Sequence, residues 1–483
     1  MTSASQPAPD PAADATASAA GLAAAFRAGV TTPVEVAEDA LARIARFEPV
    51  VNAFSDHDPS LVRADAAASA ERHRRGSPLG PLDGVPVTVK ENMLRAGVPA
   101  RSGSAASAPV VPDADSPIVA RLREAGAVIL GSTTMPDWGM LSSGVSSLHG
   151  ITRSPLDPTL TVGGSSAGAG AVAAAGIGPI HMGTDIGGSV RFPAAWLGLV
   201  GLKPSAGRVP IDPPYLGRAA GPIGRRVADL AAAMAVVTRP DVRDHTSLPY
   251  EELDWADPGL DVRGLRIAVH TDAGAGLPVE PEIAAAVRSA AERFAAAGAE
   301  VVEVAPFLDD GLLGQVDRFW RVRFRRTYDE LPPEARERVL PYIARWVAPG
   351  AEVSGVGALA AYDDIGVLRH RTVLATAPFD AVLSPVAPMA AFPAERPMPW
   401  GEEDLGMAHI AFTLPYNMSG QPAVSINAGT TTDGRAIALQ VAGARFADLR
   451  VLALAAWWER ERPADAAVPS IPDAPPQSGR NTA

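Results

Sequence analysis

Gly163-Gly164-Ser165-Ser166-Ala167-Gly168-Ala169-Gly170 is followed by Gly183-Thr184-Asp185-Ile186-Gly187-Gly188-Ser189-Val190-Arg191, with an apolar run from Ala169 to Ile180 joining them. Glycine at this density lets a backbone turn sharply and bare its N–H groups, and a serine among them is either a nucleophile or a cap. Working outward, β-rich and helical patterns alternate. Val85 to Val89 follows the turn Leu82-Asp83-Gly84 and leads into Lys90. Ser116 to Ala125 reads as a capped helix with Pro117 in its first turn, and Ala127 to Leu130 as a buried strand closed by Gly131. Upstream, Ala19 to Phe47 has apolar residues at helical spacing, and Thr32, Pro33 and Glu35 mark the start of a second helix. Downstream, Leu265 to His270, Pro281 to Ala297 and Glu300 to Val304 repeat the unit, while Ala381 to Val386, Ala423 to Asn427 and Ala436 to Val441 read as late strands before a closing helix, Leu449 to Glu461. The alternation predicts an α/β fold, a single large αβα unit over residues 16–463 whose mixed, twisted sheet is covered by helices on both faces. The motif-bearing core spans about 80–210, and the mostly helical stretch 309–376 reads as an insertion or cap. The proline-rich, polar ends, 1–15 and 464–483, are predicted to be disordered tails.

Bulk composition removes several chemistries. The chain has 483 residues, 42 basic against 54 acidic, a net charge of −12 and no cysteine. Disulfides, thiolate metal sites and a cysteine nucleophile are therefore excluded. Its histidines show no metal-ligand spacing, so neither metal nor cofactor is expected. A pI near 5.2 without a basic tail argues against a nucleic-acid partner. The cluster Arg321, Arg323, Arg325 and Arg326 lies at helical spacing and reads as a solvated face. No basic segment followed by an apolar run opens the chain, and the apolar stretches fall short of the roughly 18 residues a membrane span needs; a cytoplasmic protein with no membrane partner is expected. Only two lysines, Lys90 and Lys203, stand among the 42 basic residues.

Three chemistries fit the glycine-serine cluster. Gly168-x-Gly170-x-x-Ala173 matches a loose dinucleotide fingerprint, but no clear strand precedes it. Gly164-Ser165-Ser166-Ala167-Gly168 matches the nucleophile elbow of an α/β-hydrolase, with Ser166 as nucleophile and His370 or His409 as the base it would need. The third reading joins the serines to Lys90. A lysine can act as a base only when neutral, which arginine effectively cannot become. An exposed lysine is neutral in roughly one copy in 2500 at pH 7. Desolvation must therefore pull its pKa down, and the apolar strand end Val85-Pro86-Val87-Thr88-Val89 suits that task.

Gly84-Val85-Pro86-Val87-Thr88-Val89-Lys90-Glu91-Asn92, then Gly163-Gly164-Ser165-Ser166, then Gly183 to Pro193, taken in this order and spacing, resemble the amidase signature family. Later landmarks agree: Gly201-Leu202-Lys203-Pro204-Ser205, Asn417 to Ala423 and Ala438 to Gly443. The resemblance runs from about Ala19 to Arg462. It implies a catalytic triad of Ser189 as nucleophile, Ser165 in a cis peptide as relay and Lys90 as terminal base. It further implies an oxyanion hole from the backbone N–H groups of Ile186, Gly187, Gly188 and Ser189. Asp185 and Arg191 are expected to pair and hold the glycine turn, and Ser166 to support the relay or cap a helix. Lys203 reads as a structural anchor.

The departures from the family pattern bear on substrate. Gly131-Ser132-Thr133 has serine where lysine is usual, Ala167 replaces a common glycine, and Ser154-Pro155-Leu156 stands where asparagine-proline-tryptophan is common. Met135 to Gly144 and Pro210 to Pro222 resemble pocket walls, with Gly139 and Met140 as substrate contacts; Trp138, Trp196 and Trp320 are candidates for an apolar pocket. The reading is an amidase that hydrolyses the C–N acyl bond of a neutral, rather apolar small amide through an acyl-enzyme, with esters and aryl carbamates (urethanase activity) as further substrates. The alternatives are the A subunit of a tRNA-dependent amidotransferase and the histidine-dependent hydrolase built on Ser166.

Overall fold

Alternation at period two sets the strands into the core. In the strand Val128–Thr133, Val128 and Leu130 join one apolar cluster while Ile129, with Ala127 just before the strand, joins another on the opposite face. The computed structural model describes residues 18–256, 259–400 and 404–476; the tail expected over 1–15 lies outside them. Its strands are β1 (Phe54–Asp56), β2 (Pro86–Lys90), β3 (Val128–Thr133), β4 (Val145–Ser146), β5 (Gly150–Ile151), β6 (Ile180–Asp185), β7 (Val200–Lys203), β8 (Ala219–Gly224), β9 (Arg266–Val269), β10 (Glu300–Glu303), β11 (Ala381–Pro385), β12 (Ala423–Thr430) and β13 (Ala436–Ala442). Eleven of them form one mixed sheet in the order β1-β3-β2-β6-β8-β7-β12-β13-β11-β9-β10.

Helices cover both faces, as expected. On one side Ala19–Ala28, Pro117–Glu124, Val227–Val237, Pro281–Ala296 and Asp448–Glu461 set Phe26, Leu122, Leu230, Phe294 and Trp458 against Val87, Val89, Leu202, Ile426 and Val441. On the other, Pro33–Val51 and the all-buried Ala167–Ala174 pack Ile44, Phe47 and Val172 against Val128, Leu130 and Ile223. Each such large side chain is worth about 1.5–3 kcal/mol. The capping box at Thr32 is present, with the Glu35 N–H donating to Thr32 Oγ1 and the Thr32 N–H to Glu35 Oε2.

Four expectations need correction. Ser116 stands at the N-cap of its helix, yet its hydroxyl makes no cap bond and is buried without a partner. β3 does not close at Gly131. Val87 pairs with Ile129 and Thr88 with Gly131, so a bulge at Leu130 lets the strand run on to Thr133. Residues 464–476 are not a loose tail, because Asn427 Nδ2 donates to the carbonyls of Ala466 and Ala467 at 3.1 and 2.7 Å and Ile471 lies against Gly176. Nor is the arginine cluster a solvated face. Arg321 pairs with Asp317 and Asp404, both at 2.6 Å, and Arg323 Cζ stands over the Tyr215 ring; Arg326 is the member of the cluster that stands out in solvent.

The insertion holds the helices Asp310–Asp329, Pro341–Val347 and Gly355–Thr376. It shares a core with Met140, Phe192, Ile410 and Phe412, so it packs over the carboxyl ends of the strands. β2 and β6 are parallel neighbours in which Val89 pairs with Met182, which brings Lys90 level with the segment Gly183-Thr184-Asp185. The chemistry-bearing residues thus leave the sheet at its carboxyl edge, where α/β sheets bind ligands.

Candidate active site

Lys90 ends β2 with none of its side chain exposed. Its Nζ stands 2.8 Å from Ser165 Oγ, 3.2 Å from Ser166 Oγ and 3.1 Å from Thr184 Oγ1. No carboxylate among the described residues lies at salt-bridge distance from it. Burial therefore pushes the amine well below the ordinary lysine pKa; the positive charge of Arg218 pushes further, against the opposing pull of Asp185 and Glu91. Ser165 follows a cis Gly164–Ser165 peptide. The Ser166 N–H donates to the Ser189 carbonyl at 3.1 Å, which fastens the first serine loop to the second. Ser166 Oγ donates to the Thr184 carbonyl at 3.2 Å, and its expected helix-cap bond is not made.

The second loop is shaped by Asp185. Its carboxylate accepts the Gly188 N–H at 2.9 Å and the Val190 N–H at 3.1 Å, and it meets Arg191 through Nε at 3.0 Å and Nη2 at 2.8 Å. Burial opposes the Asp185 charge, but Arg191 and the Asn417 amide outweigh it and hold the carboxyl far below the usual range. Arg191 is itself fully buried and donates to Gln440 Oε1 at 2.7 Å, the Thr413 carbonyl at 3.1 Å and Asn417 Oδ1. Gly188 takes φ +123°, and a Cβ there would stand 2.5 Å from the Phe192 ring. Since its N–H is spent on Asp185, Gly188 leaves the set of expected oxyanion donors. Ile186, Gly187 and Ser189 remain, their N–H groups without a protein partner among the described residues.

A cavity of about 390 Å³ opens above these loops. Ser165 and Ser189 both reach it, as do Ile186 and Gly187, the two expected contacts Gly139 and Met140, and the aromatic side chains of Trp138, Trp320 and Phe324. Gly139 has φ +72°, and a Cβ on it would come 3.2 Å from Ser165 Oγ, so its backbone passes close to Ser165. Trp196 does not reach the cavity; it stacks on Phe192 at 5.1 Å in the core. Of the expected walls Met135 to Gly144 and Pro210 to Pro222, Met135, Leu141, Ser142, Asp212, Pro213, Tyr215 and Arg218 also line it.

The match to a known family decides what this cavity belongs to. The family model for amidases matches residues 35–452. The chain belongs to the amidase signature family. An acylamidase of Rhodococcus erythropolis is 33% identical over 442 residues, covering 89% of this chain and 92% of the relative. The A subunit of the glutamyl-tRNA(Gln) amidotransferase of Chloroflexus aurantiacus is also 33% identical, over 470 residues, covering 90% of this chain and 95% of the relative. Among solved structures, a bacterial aryl acylamidase superposes with a TM-score of 0.83 at 29% identity, covering 92% of this chain and 96% of its own. A 6-aminohexanoate cyclic dimer hydrolase gives 0.82 at 27% identity, covering 95% and 99%. The protein is an amide-hydrolysing enzyme.

Within this amidase the histidine-dependent alternative has no base. His409 is buried, its Nε2 lies 2.6 Å from Ser142 Oγ, and burial brings it down to about 3, while His370 stands exposed on the helix Gly355–Thr376. Ser166 is fully buried, out of reach of a substrate. Lys203 is likewise buried, with Nζ donating to the Pro204 carbonyl at 2.8 Å. Sequence reasoning missed Thr184, Arg218 and Arg323. Thr184 lay inside a quoted motif but has no pattern of its own. The two arginines reach the same cavity from a loop and a helix that are remote in sequence. Among the described residues no helix is long and apolar enough to cross a membrane, and no group of three metal-ligating side chains occurs.

Proposed function

We propose that Ser189 is the nucleophile, Ser165 the relay and Lys90 the terminal base of this amidase. The observation that carries the reading is the buried lysine without a carboxylate, 2.8 Å from Ser165 Oγ. A neutral amine has two N–H donors and one lone pair. Ser166 Oγ and Thr184 Oγ1 take the donors, which leaves the lone pair for the Ser165 O–H. Ser165 then accepts the proton of Ser189 as Ser189 Oγ attacks the amide carbon. The N–H groups of Ile186, Gly187 and Ser189 meet the developing oxyanion, each worth about 3–4 kcal/mol in comparable sites. The relay returns its proton to the leaving amine, and a water activated by the same route hydrolyses the acyl-enzyme.

The apolar wall of Met140, Trp138, Trp320, Phe324, Met407 and Ile410 supports small amides with an aryl or alkyl body. The likeness to an acylamidase and an aryl acylamidase points the same way. Esters and aryl carbamates present the same carbonyl to the same nucleophile and are further substrates on this reading. Turnover of a chromogenic anilide by purified variants tests it. Lys90→Ala, Ser165→Ala and Ser189→Ala are each expected to abolish hydrolysis, and His370→Ala to leave it intact. A fluorophosphonate is expected to label Ser189. Full activity in Lys90→Ala ends the reading. A chain inert toward anilides alone but active on glutamine once partner proteins are added would instead be the A subunit of an amidotransferase.

A further inference from the structure

One wall of the cavity carries two cations that have no salt-bridge partner among the described residues. Ala219 pairs with Asp185 across β6 and β8, so Arg218 sits one step further along, opposite Ile186 and beside the nucleophile loop. Arg323 arrives from the insertion helix Asp310–Asp329 and lays its guanidinium on the Tyr215 ring, Cζ 3.4 Å from the centroid. Among the described residues neither arginine has a carboxylate at salt-bridge distance. Arg218 donates to the Pro213 carbonyl, at a long 3.4 Å. The Tyr215 hydroxyl is buried and makes no well-formed hydrogen bond, with the Arg323 charge beside it. Asp212 is the acidic side chain on the same wall; it is exposed and makes no salt bridge with either guanidinium.

Three other shielded arginines are paired closely: Arg191 with Asp185 at 2.8 Å, Arg95 with Asp56 at 2.8 Å, Arg321 with Asp317 at 2.6 Å. Holding two like charges half-buried on one wall without a salt-bridge partner is costly, and an anionic ligand reduces the cost. Burial, and then the nearby charge of Arg323, bring the Arg218 guanidinium down to about 10, against a smaller opposing pull from Asp212. A guanidinium stacked on a ring still presents its in-plane N–H donors, which match a carboxylate in bidentate fashion.

We propose that Arg218, Arg323 and the Tyr215 hydroxyl form a carboxylate subsite, so that the amides cleaved at Ser189 carry a carboxylate on one arm. The inference rests on the Ser189 reading for the position of the scissile bond. It replaces the neutral substrate expected from the sequence by one with an apolar body, held by Trp138, Trp320 and Phe324, and an anionic end.

Three matched anilides test it: acetanilide, N-phenylsuccinamate with the carboxylate on the acyl arm, and 4-acetamidobenzoate with it on the amine arm. The wild-type enzyme is expected to show at least about tenfold higher kcat/KM on one carboxylated substrate than on acetanilide. In Arg218→Gln and Arg323→Gln that advantage is expected to shrink to about threefold or less, chiefly through KM. Inhibition of the unaltered enzyme gives a readout that needs no variant: benzoate is expected to compete at least about tenfold better than benzyl alcohol, and less so at high salt. A wild type that prefers acetanilide to both acids, or an advantage that survives in the Arg218→Gln/Arg323→Gln double variant, overturns the subsite. Ser189→Ala keeps the two readings apart. Its silence on all three anilides leaves the nucleophile standing whatever their order, and turnover by it removes the nucleophile itself.

Discussion

Replacing Lys90 by methionine separates chemistry from stability. Methionine nearly matches lysine in length and volume, so the fully buried slot is left without a cavity. Of the three hydroxyls that lose a neighbour, Ser166 keeps the Thr184 carbonyl at 3.2 Å and Thr184 keeps Asn92 Nδ2 at 3.2 Å. Ser165 alone is stripped of its partner, a loss of about 1 kcal/mol. Against this, a buried ionisable amine is removed. Its folded pKa lies below the unfolded value, so the unfolded chain holds the proton more tightly and wild-type stability rises with pH until the ordinary lysine value of 10.5 is passed. The methionine variant lacks that rise. It is expected to melt within a few degrees of wild type near pH 10 and to gain on it as the pH falls toward 7. Activity is expected to behave oppositely, with kcat/KM for an anilide falling about 10³–10⁴-fold because the relay has no terminal base. Thermal melts from pH 7 to 10 beside initial rates at each pH give both readouts. A Lys90→Met enzyme retaining more than about a tenth of wild-type kcat/KM refutes the base assignment.

Gly188→Ala places a methyl 2.5 Å from the Phe192 ring at φ +123°, and is expected to cost about 2–3 kcal/mol by chemical denaturation together with most of the fluorophosphonate labelling of Ser189. Arg191→Met strands the buried Asp185 carboxylate and is expected to cost about 3–5 kcal/mol, whereas adding Asp185→Asn to it recovers part of the loss; equal melting points for the single and double variants would contradict the pairing. Lys203 is brought down to about 7 by burial, so wild-type stability rises between pH 7 and 10.5 on its account too; Lys203→Met is expected to flatten that slope, with its gain largest at pH 7 and below, and an unchanged pH profile of melting would remove the buried-amine account.

Much of the fold was readable because hydrophobic alternation and turn residues act locally: the strands around Val87, Ile267, Leu383 and Leu439 lie where apolar runs placed them. What was not readable depends on long-range register and packing. The bulge at Leu130 answers to β2, not to its own residues. Arginines at helical spacing look solvated until Asp404 and Tyr215 arrive from segments about 80 and 110 residues away. The motifs named Ser189 and its glycines, but not that Asp185 takes the Gly188 N–H. Nor did the late landmarks Asn417 and Gln440 suggest any role until both were found on Arg191.

That last convergence has a consequence for how the enzyme comes into being. The turn bearing Ser189 is braced by side chains 226 and 249 residues downstream of Arg191. A ribosome that has finished the serine and lysine motifs has still to make the brace, and β12 and β13, which fill the middle of the sheet between β7 and β11, come later than nearly everything they join. A nascent or truncated chain ending before Asn417 therefore carries Lys90, Ser165 and Ser189, and the Asp185–Arg191 pair, without the two amide side chains that brace Arg191. The turn that carries Ser189 is complete only once the last strands of the sheet and the segment before them are in place.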